Sequence, residues 1–420
     1  MRRVVVTGMG ALSPIGMDAD SMWQSMIAGK HGFRKIEGFE SEDMGITYAA
    51  QIHNFDPVEH GIGKKEARRM DRFTQFAVIA ARQAVGMSGY SLEGEDPFRV
   101  GVIVGSGIGG FNTINTEHTK YIEKGPSRVS VFFIPMMISN MAAGSIAIEL
   151  GYKGANFCTV TACSSGAHAI GEAFRNIKHG YLDCALAGGS EASLERFSMA
   201  GFNNMGTLTK STDPDRLSIP FDKERSGFVM AEGAGILFLE ELEHAKARGA
   251  KIYGELIGYG ATCDAYHITS PDPQGLGASK AMELAIEEGQ IACENVGYIN
   301  AHGTSTPLND LYETRAIKAT FGAHAKKLAV SSTKSMTGHM LGAAGAIEAI
   351  ACVKAVQSGI IPPTVGYKVP DEECDLDYVT GGAREEHKLR FALSNALGFG
   401  GHNASLCFKK YEEEAGGNEE

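Results

Sequence analysis

No two of the eight cysteines (158, 163, 184, 263, 293, 352, 374 and 407) form a CxxC pair, and none shares a local cluster with histidine. A disulfide framework and a structural zinc site both need such clustering, so neither is expected, and a reducing, cytoplasmic setting is. Positive charge is also in deficit: 39 Lys and Arg against 50 Asp and Glu leave a formal charge of −11. General nucleic-acid binding needs a basic surface and is not expected. Nor does the chain show an apolar run of the roughly 18 residues that a membrane span takes. Met1-Arg-Arg-Val-Val-Val-Thr-Gly enters a strand pattern with too short an apolar run for a signal peptide, so no membrane insertion is expected.

With 43% hydrophobic and 21% charged residues in a chain of 420, there is material for a large core. The length suits one large α/β unit made of two halves. Val4 to Thr7 reads as a buried strand, followed by Gly8-Met-Gly10 and Gly16. A second glycine-rich turn, Gly105-Ser-Gly-Ile-Gly-Gly110, follows another strand. The first is a poor dinucleotide loop, since Pro14 interrupts it and no clean GxGxxG precedes an acid at the expected distance; for the second, close backbone packing at a βα corner is a plainer account than nucleotide binding.

Between these turns, Lys64, Lys65, Arg68, Arg69 and Arg72 crowd together, and positions 65, 68, 69 and 72 share one face of a helix. Such a stripe is either a solvated face or a docking patch for an acidic partner.

In Asn156-Phe-Cys-Thr-Val-Thr-Ala-Cys-Ser-Ser-Gly-Ala-His-Ala-Ile170, a β-prone run ends at Thr161 and small residues follow Cys163. That predicts a strand, a sharp turn and a buried helix, with Cys163 at the helix's first turn. Free N–H groups and the positive dipole end there favour a thiolate, so Cys163 is a candidate nucleophile; a small core cysteine is the alternative. Strand Asp183 to Ala187 and helix Glu240 to Arg248 close a first half. Leu328 to Ile350 then repeats the plan of strand, turn and small-residue helix. The echo predicts an internal duplication, with residues 1–250 and 251–411 as the halves and an acidic tail at 412–420.

His302 follows the strand Val296 to Asn300, and His339 precedes the second small-residue helix. Each alone fits a structural hydrogen-bonding role. With Cys163, at strand ends and helix starts of a duplicated α/β fold, they make a candidate active site. Phe399 stands between Gly398 and Gly400, either as a core aromatic in a turn or as a mobile gate.

Thr161-Ala-Cys-Ser-Ser, Asn300-Ala-His-Gly-Thr-Ser-Thr, Lys334-Ser-Met-Thr-Gly-His and Gly398-Phe-Gly-Gly-His-Asn resemble, in order, the motifs of the β-ketoacyl-acyl carrier protein synthases. The likeness runs from Arg2 to about Lys410, and Ile108 inclines it to the synthase II type. It implies a thiolase-like α/β fold of two βαβαβαββ halves in αβαβα layers, a homodimer, and substrates carried on the phosphopantetheine of acyl carrier protein, with no cofactor and no metal. It further implies that Cys163 takes the acyl chain, with an oxyanion held by the N–H groups of Cys163 and Phe399. His302 and His339 then stabilise the enolate left when malonyl-carrier protein loses carbon dioxide, and Lys334 orients the site through Glu348. Thr304 and Thr306 match positions that hold the pantetheine arm, and Ile108, Phe133 and Phe202 match the acyl pocket. Gly398 and Gly400 frame the gate, and Lys64, Lys65, Arg68, Arg69 and Arg128 match a carrier-docking surface. The family pattern Asn-Ser-Phe-Gly-Phe-Gly-Gly reads Asn395-Ala-Leu-Gly-Phe-Gly-Gly here, which bears on gate movement and chain length. A non-catalytic chain-length partner and a polyketide-type ketosynthase stay open as alternatives; a degradative thiolase would need a second reactive cysteine near the carboxyl end.

Overall fold

The structure, a computed structural model, describes residues 1–413. Its main sheet contains β1 (Val4–Leu12), β2 (Val100–Gly105), β3 (Asn156–Phe157), β4 (Cys184–Glu191) and β5 (Gly233–Glu241) from the first half. From the second come β6 (Gly254–Cys263), β7 (Val296–Asn300), β8 (Ala329–Ser331), β9 (Phe391–Gly398) and β10 (His402–Lys409). The order across the sheet is β8-β7-β9-β10-β6-β1-β5-β4-β2-β3. Counted within its own half, each set of five reads 3-2-4-5-1 from its outer edge. The directions repeat as well: the first strand runs antiparallel to the fifth and the fifth to the fourth, while the fourth, second and third are parallel. A duplication explains that agreement, and β1 and β6 join the halves by pairing Val4, Val5 and Val6 with Leu256, Glu255 and Gly254.

Two helices, Ser165–Lys178 and Ala344–Ser358, lie back to back between the halves. Their small faces allow it, since Ala167, Ala169, Ala173, Ala346 and Ala349 are all fully buried in one core with Val6, Leu239, Leu406 and Phe408. Outside the first half, Arg72–Ser88 and Met141–Leu150 cover the other faces of β2, β4 and β5 through Phe73, Phe76 and Ile146. In the second half Leu276–Glu288 covers β6, β9 and β10, with Pro307–Phe321 beside it, and Met282, Ile286 and Ile317 share one core with Ile299 of β7, Val330 of β8 and Leu393 of β9. The result is αβαβα layering, and each large aliphatic side chain so buried contributes about 1.5–3 kcal/mol.

Several boundaries differ from the sequence reading, each for a local reason. β1 continues through Gly8 and Gly10, whose missing side chains admit the helix above: a Cβ there would stand 2.0 Å from Ala84 O and 1.9 Å from Ala80 O. The strand expected up to Thr161 stops at Phe157, because the Ser165 hydroxyl takes the Thr161 N–H at 2.9 Å and the Thr159 hydroxyl bonds to Ser165 O at 2.7 Å. The basic stripe is not one helix: Lys64–Ala67 ends, and a new helix starts at Arg72 behind the buried N-cap Asp71. Arg72 leaves the stripe altogether, forking onto Glu232 at 2.8 Å. One helical span, Leu341–Ser358, has the length and apolarity of a membrane helix, with a mean hydropathy of 1.2, against the expectation of no such run. It is 89% buried inside the protein, as the central helix of the second half. Of the acidic tail, Glu412 pairs with Arg390 at 2.6 Å, and residues 414–420 lie outside the described residues.

Candidate active site

Cys163 occupies a short 3-10 turn, Ala162–Ser164, directly before the central helix, and the turn is sharp enough to put Ala162 at φ 51°. His339 Nε2 lies 3.1 Å from Cys163 Sγ. His302 stands edge-on to His339, with ring centroids 5.3 Å apart and planes 84° apart. All three are buried.

His302 is fixed from both ends. Glu313 accepts the backbone N–H groups of His302 and Gly303, each at 2.8 Å, which pins the loop. Behind the ring, Lys334 Nζ donates to His302 Nδ1 at 3.3 Å, and Lys334 is itself ion-paired with the buried Glu348. An ammonium at Nδ1 leaves the ring proton on Nε2, the nitrogen turned away from Lys334. His339 is held by its backbone N–H to Val229 O at 2.8 Å and by the edge-on ring of Phe228, 5.0 Å away. Burial, with the charge of Lys334, pushes both imidazoles well below the usual histidine range, so they are neutral donors near pH 7.

The resting state of Cys163 differs from the thiolate expected at a helix start. Burial pushes it up to about 12, against the opposing charge of Lys334, so the free site holds a thiol hydrogen-bonded to His339. Cys407, the residue a second reactive cysteine would have to be, is buried in β10 and likewise pushed up to about 12. It is a core residue.

A cavity of about 450 Å³ opens onto Cys163, His302 and His339, walled by Phe202, Phe228, Leu341, Leu397 and Phe399 and by Thr304 and Thr306 near its mouth. The lining thus combines apolar side chains with hydroxyls, those of Thr304 and Thr306 lying 2.8 Å apart. This arrangement pairs a sulfur nucleophile with two neutral N–H donors beside a slot for an aliphatic chain.

Residues 1–245 match the family described as Beta-ketoacyl synthase, N-terminal domain, and residues 253–368 that described as Beta-ketoacyl synthase, C-terminal domain. The chain belongs to the β-ketoacyl synthase family. Among curated relatives, the 3-oxoacyl-[acyl-carrier-protein] synthase 2 of Synechocystis is 51% identical over 98% of this chain and 99% of its own. The protein of the same name from Staphylococcus aureus is 50% identical over the same shares. A solved structure of a type II polyketide acyl-carrier protein in complex with its ketosynthase superposes with a TM-score of 0.90 at 33% identity, covering 98% of this chain and 100% of that one.

Not every expected site residue of this β-ketoacyl synthase reaches the cavity. Gly398 and Phe399 line it at the tip of the β9–β10 hairpin, whereas Gly400 faces outward and bonds to Ile268 O at 2.8 Å. Lys334 and Glu348 sit behind His302 rather than in the wall, so Glu348 supports the site without lining it. Ile108 packs in the same apolar cluster as Cys163 and Phe202 but does not line the cavity. Phe133 is further removed, on the short helix Phe133–Met137 beside the exposed Val131 and Ile134. Of the two departures from the family pattern, Leu397 is in the cavity wall, while Ala396 is buried in β9 opposite Ala404. Lys64, Lys65, Arg68 and Arg128 are exposed, and Arg69 lies over the Phe132 ring at 4.6 Å.

Sequence reasoning missed Glu313, Phe228 and Glu191. An acid eleven residues after His302 gives no periodic signal, and Glu191 lies beyond the strand read from Asp183 to Ala187. Glu191 also settles the Gly105–Gly110 turn, since its carboxylate takes the N–H groups of Gly107 and Ile108 at 2.7 and 3.3 Å where a nucleotide phosphate would have to sit. For metals, the ligating atoms of Cys163, His302 and His339 lie within 4.8 Å of one another, as do those of Cys184, Glu240 and His244. In the second set Arg248 forks onto Glu240 at 2.6 and 2.7 Å, which occupies the carboxylate and opposes a cation. Among the described residues, Asn300 Oδ1, Glu348 Oε2 and Ser394 Oγ are buried with no hydrogen-bond partner.

Proposed function

We propose that this protein condenses an acyl chain with malonyl-acyl carrier protein to give β-ketoacyl-acyl carrier protein, lengthening a fatty acid by two carbons. The contact of Cys163 Sγ with His339 Nε2 at 3.1 Å, at the foot of an apolar cavity, carries the reading. In the first step Cys163 attacks the thioester carbon of acyl-carrier protein. The sulfur–carbon bond to Cys163 forms, the bond to the carrier sulfur breaks, and the carrier thiolate takes the proton that the Cys163 thiol gives up. The N–H groups of Cys163 and Phe399 receive the oxyanion, at about 3 kcal/mol per donor in comparable sites. In the second step the malonyl carboxylate leaves as carbon dioxide, and its electron pair becomes an enolate on the thioester oxygen. Neutral His302 and His339 donate to that oxygen from Nε2, and Lys334, held by Glu348, keeps His302 in the donating tautomer. The enolate carbon then attacks acyl-Cys163: the carbon–carbon bond forms, the acyl–sulfur bond breaks, and the Cys163 thiolate released takes a proton from solvent to return to the thiol.

Thr304 and Thr306, at the hydroxylated mouth, hold the pantetheine arm, while Phe202 and Phe399 flank the acyl chain. Lys64, Lys65, Arg68, Arg69 and Arg128 form the docking surface for acidic carrier protein, with Arg69 braced on Phe132. A homodimer is supported by the edge strand β3, where Phe157 is 38% exposed beside Val160 at 56%, an unpaired edge that a second copy would cover. Fatty-acid elongation is favoured over a polyketide reaction because the relatives at 50–51% identity are named synthase 2.

Intact-mass measurement of the protein and of Cys163→Ala, incubated with acyl-carrier proteins of increasing chain length and then malonyl-carrier protein, tests this. Acyl adducts on the wild type alone, discharged once as β-ketoacyl product, are expected. Absence of any adduct would return the chain to a non-catalytic role, and repeated extension would favour the polyketide reading.

A further inference from the structure

The duplication gives the reactive turn a counterpart. Ala162 and Leu341 both take positive φ, 51° and 46°, and each begins a short 3-10 turn that runs into a central helix. Cys163 thus corresponds to Gly342. In the same way Gly107, two residues past β2, corresponds to His302, two residues past β7.

The two positions meet different surroundings. Around Cys163 and His302 the space opens into the cavity. Between Gly107 and Gly342 it is filled by the carboxylate of Glu191: Oε2 accepts both N–H groups, at 2.7 and 3.1 Å, and Oε1 accepts the Ser106 hydroxyl at 3.1 Å and the Ile108 N–H at 3.3 Å. Glu191 is fully buried, and these bonds join the Ser106–Ile108 loop of the first half to the turn that follows His339 in the second. There is no slack in the joint, since a Cβ on Gly342 would fall 2.3 Å from Gly107 N and 2.8 Å from Glu191 Oε2. What the joint carries is the acyl end of the site, because Ile108 and Leu341 pack in one cluster with Cys163 and Phe202.

We propose that Glu191 is a positioning residue for acyl transfer: its carboxylate, seated where the duplicated fold repeats the reactive pocket, sets the Ile108 loop against the Leu341 turn and so shapes the acyl chain's seat. The proposal rests on the acyl-transfer reading above. It requires the ionised carboxylate, because a proton on either oxygen removes an acceptor that one of the four donors needs. Burial lifts Glu191 to about 7, opposed by the bonds from Gly107, Gly342, Ser106 and Ile108. The titratable groups that face it, Cys158 and Cys163, are pushed up to about 11 and about 12 and stay neutral below that range.

The test is the rate of Cys163 acylation by short and long acyl-carrier proteins, between about pH 6 and 8, for wild type, Glu191→Gln and Ser106→Ala, with thermal unfolding alongside. Glu191→Gln is expected to slow acylation by long chains about tenfold while leaving short chains within about twofold. Wild-type acylation by long chains should fall as pH drops through about 7, and that limb should be absent from Glu191→Gln. Ser106→Ala, which keeps the carboxylate, should show a smaller loss with the same chain-length bias and retain the limb. Equal loss at every chain length, no loss, or a limb that persists in Glu191→Gln overturns the proposal. If Glu191→Gln does not fold, Ser106→Ala decides: bias supports, uniform loss overturns. Failure of the wild type to load any chain would instead overturn the functional reading itself.

Discussion

Where the first half turns into its central helix, it presents Cys163 to His339 at 3.1 Å; where the second half makes the same turn, it presents the Gly342 N–H to Glu191 at 3.1 Å. The backbone is alike in both places, down to the positive-φ residue that begins the turn. Only the side chains and the space in front differ. A helix start with free N–H groups receives an anion in either case. On the proposed mechanism that anion at Cys163 is the transient oxyanion of an acyl intermediate; at Gly342 it is the Glu191 carboxylate. Duplication supplied two such positions, and on the readings proposed above one serves chemistry and the other braces the pocket.

The comparison breaks most sharply at the histidines, which have no counterpart at the braced turn. His302→Ala and His339→Ala should each lower malonyl decarboxylation by about 10²–10³-fold, the usual cost of a lost oxyanion donor. Cys163 acylation should fall by less than about tenfold, because the enolate is made only in the second step. Decarboxylation and single-turnover acylation measured separately decide it, and equal losses in both would remove the division between the two steps.

Next comes the buried pair behind His302. Lys334→Ala leaves the Glu348 carboxylate without its cation among groups that are 1–2% exposed, and should cost about 3–5 kcal/mol in urea unfolding. Lys334→Met with Glu348→Met should recover most of that stability while leaving decarboxylation low, since nothing then holds the His302 proton on Nε2. Recovery of both would show that the pair serves folding alone.

A smaller effect is expected at the brace. Gly342→Ala forces a methyl against Gly107 N and Glu191, and should lower stability by about 1–3 kcal/mol as overpacking does. Thermal unfolding reads this directly. An unchanged midpoint would mean that the two turns are less tightly joined than Glu191 makes them.

The strand, turn and small-residue helix were legible at both places because the periodicity changes abruptly there and small residues mark the buried face. Cys163, His302 and His339 were legible from their motifs and their places at strand ends and helix starts. The protonation state of Cys163 was not, because it depends on burial by Phe228, Leu341 and the opposite half, which no local pattern records. Glu313 and Glu191 escaped for a related reason: each binds backbone N–H groups outside its own element, those of His302 and Gly303 for Glu313 and those of Gly107 and Ile108, in a different strand-end loop, for Glu191. The one-face helix through Lys65 and Arg72 failed because Asp71 makes a better cap than an interior residue, its carboxylate also taking Thr113 N–H and hydroxyl at 2.9 and 2.7 Å.

That broken stripe supplies the mildest test, since it lies outside the duplicated core and acts only on the approach of substrate. With Arg72 turned inward to Glu232, the outward charge is left to Lys64, Lys65, Arg68 and Arg69, and a surface of this kind changes encounter more than chemistry. Arg68→Glu with Arg69→Glu should raise KM for carrier-bound substrates about three- to tenfold and leave kcat near the wild-type value. Small pantetheine thioesters, which need no docking, should be turned over at an unchanged rate. Added salt should narrow the gap between wild type and variant, because exposed charges are screened within about 10 Å at 0.1 M ionic strength. A loss that is the same for carrier-bound and small substrates, or indifferent to salt, would mean that Arg69 matters through its packing on Phe132 and that the cations do not receive the carrier.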